Sequence, residues 1–233
     1  MSAITWFLLA GLVTLSAAVA FLPRPPADEV ARLRAWVYRS IILAEWGLLA
    51  LFFSLLLLDG RYPAQFGLRL SSSAWREDLL WGGAASMVAI GLGEFWWALE
   101  RRRGWGGRDF MQALLPRTRR EKWLALGLAV TAGYCEEFLY RGFLMTVLDN
   151  WLSSVWLAGG ISVLLFALAH VPYGKLGVMS ALTGGTVLAL AFSATGRLAA
   201  PVLAHVAYDC YAFFTGRFET FPPRSAGNTD KQG

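Results

Sequence analysis

Charge is scarce in this chain, cysteine nearly absent, and histidine confined to two positions. Only 16% of the 233 residues are charged and 56% are hydrophobic, whereas soluble domains carry about a quarter charged residues. That shortage excludes an ordinary soluble domain. The two cysteines, Cys135 and Cys210, are too few for a disulfide scaffold and lack the CxxC spacing of a zinc site, so they are expected to be small packing residues. No HExxH sequence occurs, which counts against a metalloprotease of that kind. No internal repeat is visible either. The opening MSAITWF has no basic residue before its apolar core, and FLPRPPADEV fits a cleavage site poorly, so the first apolar segment reads as a mature helix and not a signal peptide.

What fills the chain is apolar sequence. Runs of the length that crosses a bilayer, about 20 residues, recur near 3–22, 36–58, 79–99, 123–147, 155–171, 176–194 and 198–215. The expected fold is all-α: a polytopic transmembrane bundle of about seven to eight spans, with any active site inside it. Residues 1–217 form a single membrane domain, and the polar FETFPPRSAGNTDKQG of 218–233 is expected to be a disordered tail. Thr118 followed by Glu121 has the pattern of a capping box opening a helix.

The net charge of +5 does not point to nucleic acid, because of where the basic residues fall. With alternating spans and an external N-terminus, sixteen of the 21 lysines and arginines lie on one side, eight of them between Arg101 and Lys122. The other side holds Arg61, Arg69, Arg76 and Arg197. Such asymmetry follows the positive-inside rule. The 100–122 loop and the C-terminus are expected in the cytoplasm, with the protein in the bacterial cell (inner) membrane and the lipid bilayer as its partner.

Against this apolar background, Glu136, Glu137, Arg141, His170, His205 and Asp209 stand within or at the edge of predicted spans. Each such group costs about 2.5–3.5 kcal/mol at mid-bilayer on insertion scales, so the set marks a functional site by default. Glu137 and Arg141 are four apart, stacked on one helix face and able to pair. Glu136 is turned away by about 100°, which leaves it available. His205 and Asp209 repeat the i, i+4 spacing, so the acid can orient the imidazole; Phe166 stands at the same spacing from His170. Glu45 and Glu94 also lie in spans without a basic i±4 neighbour. They read chiefly as interhelical bonding or snorkelling groups, with cavity lining as the alternative. Glu136 falls near mid-bilayer and His170 at a helix end, so they can meet only where a helix breaks or tilts, as Gly133 or Pro172 would permit.

The order Glu136-Glu137-Phe-Leu-Tyr-Arg141, then Phe166-Ala-Leu-Ala-His170, then His205-Val-Ala-Tyr-Asp209 resembles the CPBP intramembrane proteases, the CAAX prenyl endopeptidase and bacteriocin-processing (Abi) family. The resemblance covers about residues 115–215. It implies peptide-bond hydrolysis within the membrane, on a membrane-anchored peptide or protein. Glu136 would activate water and His170 would help to hold it, while His205 and Asp209 would face the oxyanion. Glu137, Arg141 and Phe166 would position the site. Where family members have asparagine, Asp209 can donate a hydrogen bond only when protonated; ionised, it would orient His205. No cofactor is expected. Two other functions use the same residues: a zinc-dependent protease, and a non-enzymatic proton-coupled transporter or scaffold.

Overall fold

The computed structural model describes residues 1–23, 25–69, 73–104 and 108–215; the expected disordered tail at 218–233 lies outside them. The described residues are helical throughout, with no strand. The helices are α1 (Ala3–Ala20), α2 (Ala27–Leu58), α3 (Trp75–Arg103), α4 (Arg108–Ala113), α5 (Arg119–Glu137), α6 (Thr146–Leu152), α7 (Val155–Ala169), α8 (Gly174–Thr195) and α9 (Ala199–Phe214). A π-helical segment, Phe138–Met145, joins α5 to α6 in one rod. Each expected span thus has a helical counterpart.

Among the described residues, four helices are long and apolar enough to cross a membrane: α1, α2, α3, and α8 with the 3₁₀ turn that precedes it. The α5–α6 rod, α7 and α9 are shorter, or carry the charged motif residues, and pack among them. In particular α7 has 15 residues and is about 22 Å long. It stops short of a full crossing.

Polar bonds at the helix ends confirm the antiparallel alternation. At one end, Asp59, just after α2, accepts from Ser2 Oγ (2.6 Å), Thr5 Oγ1 (3.0 Å) and Arg61 Nε (3.1 Å). The Ser2 bond foremost holds its pKa below the usual carboxylate value. At that end too, Arg197 between α8 and α9 bonds Glu77 (2.6 Å) and Asp78 (2.8 Å) of α3's first turn. At the opposite end, Arg34 of α2 donates to the Ala113 carbonyl (2.6 Å) and to Glu121 (3.2 Å), while Tyr38 donates to the Leu114 carbonyl. These bonds strap α4 across the bundle. Thr118 and Glu121 cap α5 reciprocally, as their spacing indicates.

Gly133 and Pro172 do not act alike. Gly133 lies inside unbroken α5, facing α9, where an added Cβ would come 2.6 Å from Val206 Cγ2 and 3.2 Å from the Val206 nitrogen. It is a notch for close helix approach. The chain turns instead at His170 to Tyr173, where Pro172 stands in the short 3₁₀ turn after α7. The π segment, unsignalled by any proline, supplies the other irregularity; Gly142 within it lies so close to the Phe66 carbonyl that a Cβ would approach to 2.7 Å. The Gly133→Ala variant is expected to lose about 1–3 kcal/mol through overpacking. Gly127→Ala, whose Cβ meets nothing nearer than 3.7 Å, should be neutral or gain about 0.5–1 kcal/mol from helix propensity. Thermal unfolding midpoints in one detergent compare the two directly.

Candidate active site

Adjacent residues at the end of α5 face different environments. Glu137 and Arg141 are completely buried and His205 is 7% exposed, whereas the Glu136 and Asp209 side chains each keep 22% exposure. Arg141 Nη1 donates to Glu137 Oε1 at 2.7 Å, and its Nη2 donates to the Gly185 carbonyl of α8 at 3.0 Å. His205 Nδ1 lies 2.8 Å from the same Glu137 oxygen. One carboxylate therefore joins α5, the π segment and α9, and Arg141 extends the link to α8. The guanidinium also sits 4.4 Å from the centre of the Phe166 ring on α7, close enough for cation–π attraction.

This arrangement assigns hydrogens. A carboxylate paired with arginine only accepts, so the hydrogen in the Glu137–His205 bond belongs to Nδ1. His205 Nε2 is then left for the neighbouring space, 3.8 Å from both Glu136 Oε2 and Asp209 Oδ2. That separation is too long for a direct hydrogen bond. Of the two roles open to Asp209, facing the oxyanion or orienting His205, the second falls to Glu137, which accepts the short bond from His205 Nδ1. His170, the last cap residue of α7, has Nδ1 2.8 Å from the Phe166 carbonyl. A carbonyl also only accepts, so Nδ1 carries the hydrogen and Nε2 keeps its lone pair.

Glu136, His170, His205 and Asp209 line one cavity of about 200 Å³. The difference in depth between Glu136 and His170 disappears because α7 is short and ends inside the bundle, beneath the strapped α4 segment. Met111, Leu114 and Leu115 from that segment complete the same wall. Among the described residues no three His, Cys, Asp or Glu side chains are grouped so as to hold a metal ion.

Two features of the site, Gly185 and the π segment, carry no clear mark in the sequence, and the sequence favours another reading of a third, Glu45. Glu45 of α2 lines the cavity, which selects the less favoured of its two readings; Glu94 instead accepts from Tyr211 at 2.8 Å, as an interhelical bonding group should. Gly185 is needed because a Cβ there would lie 3.0 Å from Arg141 Nη2 and 3.1 Å from Phe166. The consecutive glycines of LTGGT inside an apolar helix were its only signal. The π segment has no clear sequence mark; within it the Tyr140 carbonyl accepts from Ser162 of α7 at 2.8 Å. Cys135 is buried and Cys210 half-buried, both as free thiols, in keeping with packing roles.

Residues 118–211, from the cap of α5 to the last turns of α9, match a family model described as type II CAAX prenyl endopeptidase Rce1-like. No curated protein and no solved structure matches the chain. The long apolar helices are those of an integral membrane protein, and the matched segment is similar to an endopeptidase family. That segment, about two-fifths of the chain, is thus similar to the Rce1-like type II CAAX prenyl endopeptidases, the group its three motifs resemble.

Breaking the buried pair from one side leaves a charge without its partner, at a typical cost of about 3–5 kcal/mol. Arg141→Leu should therefore lower the thermal midpoint sharply, and Glu137→Gln/Arg141→Leu should recover part of the loss. Equal midpoints for the single and double variants would show that the uncompensated Glu137 charge is not what destabilises the protein.

Proposed function

We propose that the protein hydrolyses a peptide bond in a membrane-associated or lipid-modified peptide, using water activated by Glu136. The observation that carries this reading is the division of labour between neighbouring acids. Glu137 is bonded to Arg141 and His205, and Glu136 borders the cavity with both histidines.

A water molecule in the cavity has two hydrogens to place. Glu136 supplies one acceptor and His170 Nε2 a second, which aims the water's oxygen lone pair toward a substrate carbonyl. As hydroxide adds to the carbonyl carbon, Glu136 takes the water's proton and the carbonyl oxygen gains negative charge. His205, doubly protonated, holds one N–H against Glu137 and directs the other at that oxyanion. Asp209 in its protonated form donates a second bond; ionised, it favours the imidazolium beside it. Collapse of the tetrahedral intermediate breaks the C–N bond, and the proton held by Glu136 passes to the leaving amine. A single well-aimed oxyanion donor is worth about 2.7–4 kcal/mol, and general-base help contributes about 10²–10⁴-fold.

The cavity wall formed by Met111, Leu114 and Leu115 belongs to the same end of the bundle as Arg34 and Glu121. With the basic residues of the 100–122 segment inside, that end and the C-terminus face the cytoplasm of a bacterial cell, and substrate reaches the site from that side.

In purified protein given a membrane-anchored peptide, Glu136→Gln is expected to reduce kcat by about 10²-fold or more, while the peptide still binds. Full cleavage by that variant would overturn the assignment, and solute uptake by proteoliposomes that survives Glu136 and His170 substitution would favour a transporter. Treatment with metal chelators is expected to leave the rate unchanged. Inactivation by chelator and recovery on adding zinc would establish the metal-dependent alternative.

A further inference from the structure

Glu45 is the acid that the family match does not reach. It lies on α2, well outside residues 118–211, yet it lines the cavity with Glu136, His205 and Asp209. Those three groups are also within electrostatic reach of its carboxyl. Its Oε2 is buried and has no hydrogen-bond partner. Glu137 Oε1 is bonded to Arg141 and His205, and Glu94 to Tyr211; Glu137 Oε2 is likewise buried without a partner, and Glu136 and Asp209 come no nearer than 3.8 Å to His205. An acid in a transmembrane helix carries an insertion cost of about 2.5–3.5 kcal/mol, and for Glu45 no bond within the protein offsets it.

Its position is not loose. The next residue, Trp46, donates from Nε1 to Thr131 Oγ1 of α5 at 3.0 Å and stacks on Tyr134, with ring centres 5.6 Å apart and planes at 23°. Thr131 lies five residues, and Tyr134 two residues, before Glu136 on the same helix. This double attachment sets the rotation of α2 against α5 and so fixes the direction in which Glu45 leaves the helix.

A peptide entering the cavity brings backbone N–H groups that lose their water. Burying such a group without a partner is costly. Many peptide-binding proteins meet that need with the open edge of a sheet, but the described residues contain no strand, and helical backbone is already paired along its own axis. Acceptors must therefore come from side chains that keep a free oxygen. Glu45 meets that requirement in either protonation state, because a carboxyl retains acceptor capacity even when protonated.

We propose that Glu45 is a substrate-positioning residue whose unpartnered carboxyl oxygen accepts a hydrogen bond from a backbone N–H of the peptide bound in the cavity. This rests on the hydrolase reading for its substrate, but it assigns Glu45 no part in activating water. The acid holds the chain so that the scissile carbonyl lies against Glu136.

Binding can be read apart from cleavage in the Glu136→Gln background. A fluorescently labelled membrane-anchored peptide, titrated in nanodiscs and followed by anisotropy, should bind Glu136→Gln/Glu45→Ala about tenfold more weakly than Glu136→Gln, the loss of one net hydrogen bond. The near-isosteric Glu45→Gln, which keeps a carbonyl acceptor, should remain within about twofold. With Glu136 intact, Glu45→Ala should raise KM about tenfold and leave kcat nearly unchanged. Depsipeptides that replace one backbone N–H at a time by an ester oxygen locate the bond. At one position the ester should weaken binding when Glu45 is present and have no further effect in Glu45→Ala. Unchanged binding in Glu45→Ala would overturn the proposal, as would equal losses for Ala and Gln or an ester effect independent of residue 45 at every position. Failure of Glu136→Gln to abolish cleavage would instead refute the hydrolytic assignment, and the binding comparison would still report on Glu45.

Discussion

The site is organised around one oxygen atom. Glu137 Oε1 accepts from Arg141 at 2.7 Å and faces His205 Nδ1 at 2.8 Å, in an interior where both Glu137 and Arg141 have no exposure at all. Ions are expensive to desolvate, and such a pair persists only with good geometry and further hydrogen bonds. The Gly185 carbonyl and the Phe166 ring supply part of that support. Much of the local architecture follows from this requirement. Gly185 must lack a side chain, α7 must bring Phe166 over the guanidinium, and α9 must present His205 at the level of the first motif.

The same bond separates two acids that are neighbours in sequence. Consecutive helical residues project about 100° apart, so one of them can be committed to the dry interior and the other to a cavity wall. The committed acid sets the imidazole's tautomer, and the uncommitted one keeps its oxygens toward the cavity. Structural rigidity and chemical availability are thus divided between Glu137 and Glu136. Placing the site on helices and not on loops also suits a reaction that needs prearranged dipoles in a water-poor setting.

The cavity depends on irregularity as much as on regular helix. The α7 helix ends early, and the backbone turns through Val171–Tyr173 before α8 begins. In the π segment after Glu137 the Tyr140 carbonyl accepts from Ser162 of α7; such segments recur at functional positions. The α4 segment, strapped by Arg34 and Tyr38, covers the space that the short α7 leaves. An apolar bundle of uniformly long helices would have packed that space shut.

The all-α membrane class was legible in composition and run length, because in hydrocarbon every backbone group must be satisfied within its own helix. The Glu137–Arg141 pair and the capping box at Thr118 were legible too, since i, i+3 and i, i+4 neighbours are set by helical geometry alone. Relations between helices were not. That His205 donates its short bond to Glu137, 68 residues away, and not to Asp209 in the next turn depends on how α5 and α9 approach through the Gly133 notch. Glu45 and Gly185 entered the site for the same reason. Periodicity specifies which face of a helix a residue occupies, but only the packed bundle decides what that face meets.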